Sequence, residues 1–440
     1  MRTANHEPGE TIMTIMRNAI AVLAVAVVAG GCDFEVQNPG PTPDSFLDNP
    51  EAHQAYANGA ALELMDALNQ VAYTTSAVTR ELFPAGSTSS FGISASQQVG
   101  RLLFDDEHAD SWTPHQRSRY IAESGFERFS AQREGNVNGY RPAAEAALWA
   151  GYANRLLGEN WCEAVIDGGS VQPGDVWLER AEEWFTTAIQ VASSNPDLAH
   201  VVTAAHAGRA SVRAFLGDWA GAMQDAAEVP DDFVFQLGYH NTQQSHYNRI
   251  YFAGANQPYR AVTVWNTVYE QYYEETGDPR TPWGLMEGFP EGDAALAFLG
   301  NQRVPFYQQR KYVNPDDDIN LSSGWEMRLL EAENLLRNGS WQAAMDMINT
   351  RRAALGVPEF TATSLDEAWT HYKRERGIEL WLEGRRMGDL RRWERDNVPG
   401  DLHPLEEPGN PASYLVADRS LCYDIPQNER QSNPNVPDQP

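Results

Sequence analysis

Apolar positions recur at helical spacing along most of the chain. After Asn49-Pro50, residues Tyr56, Ala60, Leu64, Ala67, Leu68 and Val71 fall mostly three or four apart, which predicts a helix with one apolar face. Asn49 suits the N-cap and Pro50 the first helical position. The stretch 86–92 (GSTSSFG) has no period and reads as loop, and 112–129 reads as helix again. From Ala143 the pattern becomes a series of helices: 143–157 ending at Gly158, 177–192 ending near Asn195-Pro196, 201–216 ending at Gly217, and 219–227 ending before Pro230. A glycine just past the last apolar turn is a common helix stop. Two further pairs are predicted, 325–337 with 341–355 and 365–382 with 386–395, and Ser364-Leu-Asp-Glu367 has the wording of a capping box. Between about 230 and 320 the period is lost, and Pro, Gly, Asn, Gln and aromatic residues dominate.

The helical part contains an echo. GDWAGAM (217–223) and GSWQAAM (339–345) share Gly, Trp, Ala and Met, and GENWCEA (158–164) is a weaker third copy with one extra residue before the Trp. Each predicts a glycine turn after one helix and a Trp in the first turn of the next, with Trp161, Trp219 and Trp341 in the core. This wording resembles the helix–turn–helix of tetratricopeptide repeats, with the 34-residue period broken by insertions. Each helix pair has one apolar side and must stack on a neighbour. The expected fold is therefore mainly α: tetratricopeptide-like helix pairs form a scaffold that carries a long irregular insert.

The start of the chain follows another pattern. Arg17 precedes an apolar run over 19–31 that is shorter than the about 20 residues a membrane-spanning helix needs. Basic residue, apolar core and small residues are the parts of a secretory signal. Ala29-Gly30-Gly31-Cys32 resembles the lipobox of bacterial lipoproteins, which implies cleavage before Cys32 and a diacylglycerol on its thiol. The alternative is an ordinary cleaved signal with a cysteine nearby. The first twelve residues are unlike a signal, so Met13 and Met16 are candidate starts. After Cys32 the proline-rich DFEVQNPGPTP reads as an extended tether. The expected organisation is thus a lipoprotein signal peptide over 1–31, a tether over 32–48 and a body over 49–440. Within the body, 141–230 and 320–396 hold the helix pairs, and 231–319 is the ligand-binding insert.

Charge narrows the function classes. The net charge is −28, and the charges within 1–31 (Arg2, Arg17, Glu7, Glu10) cancel, so the excess lies in 32–440. Such a surface disfavours nucleic-acid phosphates and anionic lipid heads. With Cys32 lipidated, two cysteines remain. Cys162 and Cys422 could pair in an oxidising compartment, or could be two buried thiols. The ten histidines show no metal-ligand spacing, and Asp316-Asp317-Asp318 lacks the period of a calcium loop and reads as a solvated turn. No phosphate-binding glycine loop or Gly-x-Ser-x-Gly elbow occurs. No metal, cofactor or catalytic residue is expected.

The last third carries the most specific wording: GWEMRLLEAENLLRNGSWQAAMDMINTRRAALGV, YKRERGIELWLEGRRMGDLRRW and LCYDIPQNERQSNPNV. In order and content it resembles the SusD/RagB family of outer-membrane nutrient-binding lipoproteins. The family's E-R-x-x-E-L-x-x-E-G-x-R-x-x-D-L-R-R-W block is matched at Glu375, Arg376, Glu379, Leu380, Glu383, Gly384, Arg386, Asp389, Leu390, Arg391, Arg392 and Trp393. The I-P-x-x-E with a following N-P is matched at Ile425, Pro426, Glu429, Asn433 and Pro434, and TPDSFLDNPEAHQAYANGA near the start is also family-like. The resemblance is weakest between about 230 and 320.

The resemblance implies a nutrient-binding protein, with glycan as the family's usual ligand, anchored by lipid at the outer membrane and cell surface. It also implies a SusC-type TonB-dependent transporter as partner. The residues of the block have their own logic. Glu375, Glu379 and Glu383 fall four apart on one helix face, with Ile378, Trp381 and Leu382 on the apolar side. Paired carboxylates could serve glycoside hydrolysis. Among Arg376, Arg385, Arg386, Arg391 and Arg392, however, they are expected to form an ion-pair network around Gly384 with their pKa values pulled down. Two alternatives to nutrient binding follow: a tetratricopeptide scaffold for envelope assembly that binds no small molecule, and a lipid-anchored glycoside hydrolase. The insert favours binding, because rings grip the apolar faces of sugars while amides and charges grip the hydroxyls. The expected ligand residues are Trp283, which lies between Pro282 and Gly284, Phe289 beside Pro290, Tyr259 and Trp265.

Overall fold

A computed structural model describes residues 44–86, 92–106, 111–254 and 259–438. The signal-like run, Cys32 and the proline-rich stretch that follows it lie outside the described residues, as does most of the 86–92 loop.

The first helix, α1 (Pro50–Val78), starts where its cap dictates: the Asn49 side chain accepts from Glu51 N at 3.1 Å, and Pro50 occupies the first position. It buries Leu64, Leu68, Val71 and Ala72. There follow α2 (Trp112–Gln132), α3 (Arg141–Asn160), α4 (Asp175–Ala192), α5 (Ala199–Leu216) and α6 (Trp219–Ala226), each packed on the one before it, with α1 also lying on α3. Small residues set the closeness of this stack. The ring of Phe185 on α4 fits between Gly151 on α3 and Gly208 on α5, and a Cβ at Gly151 would come within 2.6 Å of it.

The second set of helices is α8 (Gly324–Arg337), α9 (Trp341–Ala354), α10 (Leu365–Glu379) and α11 (Arg386–Arg395). It joins the first set through α8, whose Met327 and Leu330 share a cluster with Ala207, Ala210 and Ala214 of α5 and Ala222 and Ala226 of α6. The protein is mostly helical, and its paired packing is that of tetratricopeptide-like repeats.

Two copies of the sequence echo behave as expected. Gly217 and Gly339 both adopt left-handed backbone, at φ 89° and 76°, and Trp219 and Trp341 open α6 and α9. The third does not. Helix α3 runs through Gly158 to Asn160, because Gly158 stays helical where it packs on Leu178, and Trp161 is the cap residue rather than the start of a helix. Trp161 is fully buried, stacked on Tyr423 at 4.9 Å. Trp219 and Trp341 are only half-buried, since a first-turn position leaves one ring face outside the helix stack. Over Trp219 that face is covered by the Arg337 guanidinium, 4.5 Å from the ring centre.

The capping box before α10 is half formed. Ser364 accepts from Glu367 N at 3.2 Å, but the Glu367 carboxylate reaches one residue further back, to Thr363 N at 2.6 Å. Helix α10 also ends earlier than the pattern predicts, at Glu379. Leu382 and Gly384 take left-handed backbone, at φ 61° and 71°. Glu81, just beyond α1, fixes this turn by accepting from Leu382 N at 2.9 Å and, through its carbonyl, from Trp381 Nε1 at 3.2 Å. The left-handed φ favours glycine at 384, and a Cβ there would make a tight 3.3 Å contact with Leu68 Cδ1 on α1. Cys162 and Cys422 are disulfide-bonded, with Cα atoms 5.7 Å apart, which decides between the two readings of these residues.

The described residues of 231–319 form short paired segments around one α-helix. Strand β1 (Val234–Leu237) pairs antiparallel with β4 (Ile319–Ser323), with an irregularity between Phe235 and Gln236, and β2 (Trp283–Leu285) pairs with β3 (Tyr307–Gln309). Helix α7 (Val268–Thr276) is not in the sequence reading, although its signals are present: Thr267 caps it by accepting from Glu270 N, and Gly277 ends it in left-handed backbone. Among the described residues no helix is long and apolar enough to cross a membrane.

Candidate functional site

The charged block at the end of α10 clamps the insert onto the helices. Arg280, from the insert, donates to Glu375 at 2.5 Å and Glu379 at 2.7 Å and also pairs with Asp278 at 2.7 Å. Lys311, from the insert, reaches Glu383 at 2.8 Å, and Asn320 on β4 donates to the same oxygen. On the other side Arg376 pairs with Asp389, Arg386 with Glu406 and Arg385 with Glu159. Arg392 pairs with Glu333; burial raises the Glu333 carboxyl, but Arg392, Arg337 and Arg376 outweigh it and hold the group at about 2. Glu383 departs from the expectation that the arginines would pull these carboxylates down. Its partners are Lys311 and Asn320, and burial pushes it above the usual carboxylate range against the pull of Lys311. Arg280 and Lys311 are missed by sequence reasoning, because nothing local marks an isolated cation in a loop as the partner of a carboxylate far along the chain.

The four rings singled out in the insert have separate surroundings. Trp283 is half-buried on β2, stacked face to face on Tyr307 at 4.6 Å, with its indole N–H donated to Glu270 O at 3.2 Å. Trp265 meets Phe83 edge-on at 5.2 Å in a small core with Leu296 and Val304. Phe289 is exposed, with the Arg260 guanidinium 4.9 Å from its centre. Tyr259 meets Phe252 edge-on at 5.6 Å, and Phe252 in turn meets Tyr247 at 5.3 Å.

That last string of rings leads to a cleft. Between α1 and residues 244–252 lies a space of 290 Å³ whose lining includes Asp66, Gln70, Gln244, Tyr247, Arg249 and Phe252. Its walls are held by Asn69, a buried asparagine in mid-helix. The Asn69 amide donates to Tyr247 O at 2.7 Å and accepts from Arg249 N at 2.6 Å, so one side chain fixes the insert backbone to α1. Asn248 and a single π-helical turn, Ile250–Gly254, continue the wall; Asn248 donates to Asp317 O and accepts from Ile250 N. Within the cleft, burial and then Glu63 push the Asp66 carboxyl up, while burial pulls Arg249 down. The Arg249 guanidinium lies over the Tyr73 ring at 5.1 Å. Ring, amide, carboxylate and guanidinium thus meet in one small concavity. Nearby, the three aspartates at 316–318 each hold a turn: Asp317 accepts from Asn314 N, Asp318 from Tyr239 N and Asp316 from Asn241 Nδ2.

The model of the SusD family matches residues 238–439, a span that takes in most of the insert, the second helix set and the disulfide's second cysteine. This part of the chain is SusD-family sequence. Solved structures with this fold include a SusD superfamily protein from Parabacteroides distasonis, 15% identical, with a TM-score of 0.64 over 88% of this chain and 98% of that one. A laminarin-binding SusD-like protein is 16% identical, with a TM-score of 0.60 over 88% of this chain and 99% of that one. A surface glycan-binding protein A from Bacteroides uniformis is 13% identical, with a TM-score of 0.60 over the same shares. No curated protein matches the chain by sequence. The motif-bearing block builds the joint between helices and insert, and the cleft beside α1 uses residues outside the motifs.

Proposed function

We propose that this protein binds a nutrient glycan at the outer-membrane surface, anchored through lipid on Cys32, as the partner of a SusC-type TonB-dependent transporter. The observation that carries the reading is the cleft between α1 and the insert, where Tyr247 and Phe252 lie beside the side chains of Gln70, Gln244, Asp66 and Arg249. Flat rings cover the C–H faces of a sugar, and amides and charges satisfy its hydroxyls. The SusD-family sequence of residues 238–439 supports it, as do the glycan and laminarin ligands named for two proteins of the same fold. Tyr259 extends the ring surface through Phe252. Phe289 is a second exposed ring for a longer ligand, whereas Trp283 and Trp265 act by holding the insert's shape.

The proposed role is binding rather than catalysis. Glycoside hydrolysis needs two carboxyl groups flanking the bond, and the lining of this cleft carries one, Asp66. The proline-rich stretch after Cys32 spaces the body from the membrane, and lipoprotein processing supplies more than one acyl chain, which lasting attachment requires. Calorimetry with a panel of neutral oligosaccharides, β-glucans included, tests the reading. Binding that weakens in Phe252→Ala supports it, and no binding to any member of the panel overturns it in favour of a scaffold role.

A further inference from the structure

A second cleft, of 690 Å³, lies where the segment after α11 folds back over α10, and it shares no lining residue with the first. Its charged lining is Lys373, Arg374, Arg386, Asp401, Glu406 and Glu407. Three of these six are already engaged. Arg386 donates to Glu406 through Nε at 3.1 Å and Nη2 at 2.8 Å, with its third contact to Lys373 O, and Glu407 accepts from Asn410 at 2.9 Å. Lys373, Arg374 and Asp401 are left over, with the Asp401 charge acting on Lys373. The Lys373 ammonium makes one hydrogen bond, to Gly400 O at 2.6 Å, and Arg374 makes none among the described residues. This is unusual for the neighbourhood: Arg376, Arg385 and Arg392 on the same two helices and the turn between them all reach carboxylates. It is more unusual in a chain of net charge −28.

We infer that this cleft binds a hydroxylated carboxylate, the chemistry of a uronic-acid sugar, with the carboxylate between Lys373 and Arg374 and the hydroxyls donating to Asp401 and Glu407. A bare anion such as phosphate would meet the same two cations but would be repelled by Asp401 and Glu407. A ligand with both a negative group and hydroxyl donors satisfies all four. The volume lies within the about 300–1,000 Å³ usual for small-molecule sites, enough for a short oligosaccharide. Burial, followed by the Arg386 charge, pulls the Lys373 ammonium down to about 8, a strain that a bound carboxylate relieves. The site does not depend on the reading of the first cleft.

The test is calorimetry of the lipid-free chain from residue 33 onward with trigalacturonate, the matching neutral trisaccharide and a short Asp/Glu peptide. Trigalacturonate is expected to bind better than both others, to lose about tenfold in affinity in Arg374→Gln, as a lost charge-assisted contact implies, and to be unaffected by Phe252→Ala. Arg374 has no partner to lose, so the variant should keep the wild-type melting temperature; Lys373→Gln serves as the second variant. The inference is overturned if wild type does not bind trigalacturonate, if Arg374→Gln and Lys373→Gln both bind it as wild type does, if Phe252→Ala abolishes the binding, or if the acidic peptide binds more tightly.

Discussion

Lys311 Nζ lies 2.8 Å from Glu383 Oε1, and this contact joins the insert to the block of residues that marks the family. Both ends are enclosed: the Glu383 side chain is almost fully buried, and the ammonium also donates to Trp381 O at 2.5 Å. Glu383 therefore works as a fastener. Glu383→Ala removes the acceptor that Lys311 and Asn320 share, and should lower unfolding stability by about 1–3 kcal/mol, the usual cost of leaving buried polar groups unsatisfied. Chemical denaturation of wild type and variant measures it. An unchanged midpoint would contradict the structural role.

Two buried carboxylates should give opposite pH dependences. Glu333 is held at about 2, below its ordinary 4.5, so its contribution is present above pH 4.5 and is lost as pH falls towards 2. Glu81 is pushed up to about 7, first by burial, so its contribution is present below pH 4.5 and is lost as pH rises through 7. Glu81→Gln removes the second effect while keeping an acceptor for Leu382 N. Its stability is expected to change less than wild type between pH 4.5 and 8, read by thermal melting across that range. Parallel curves for the two proteins would refute the assignment.

The Cys162–Cys422 bridge closes a separation of 260 residues, tying the end of α3 to the C-terminal segment. Reducing it, or replacing Cys422 by Ser, should cost about 2–4 kcal/mol, chiefly by freeing the unfolded chain. The check is the denaturation midpoint with and without reductant. No shift would mean that the segment is held by its other contacts, such as the Trp161–Tyr423 stack.

Cys32→Ala should move the protein from the membrane fraction to the soluble fraction when expressed in a lipoprotein-processing host. The variant's persistence in the membrane fraction would sink the lipid-anchor proposal.

What could be read from the sequence was whatever depends on near neighbours. Asn49 and Pro50, or Gly217 and Gly339, carry their geometry within a few residues, and the helix pairs followed from them. Gly158 has the same wording as the other two glycines, yet packing on Leu178 keeps it helical. The early end of α10 depends on left-handed backbone at Leu382, held by Glu81 from the other end of the chain. The cleft was the least legible part. Its key wall residue, Asn69, looks like an ordinary helix position, and its role appears only when residues 247–249 arrive against it. Trp283 is not at the loop tip that its Pro and Gly neighbours suggest: it lies on β2, with its ring stacked on Tyr307 of β3.

In the proposed function a glycan lies in the cleft between α1 and the insert, against Phe252. The most direct measurement is the affinity of Phe252→Ala, set beside wild type, for whichever oligosaccharide of the neutral panel binds best. Losing a ring that stacks on a sugar should cost about 1–3 kcal/mol, or roughly five- to 150-fold in affinity. An affinity equal to wild type in this variant would place the ligand elsewhere and contradict the account.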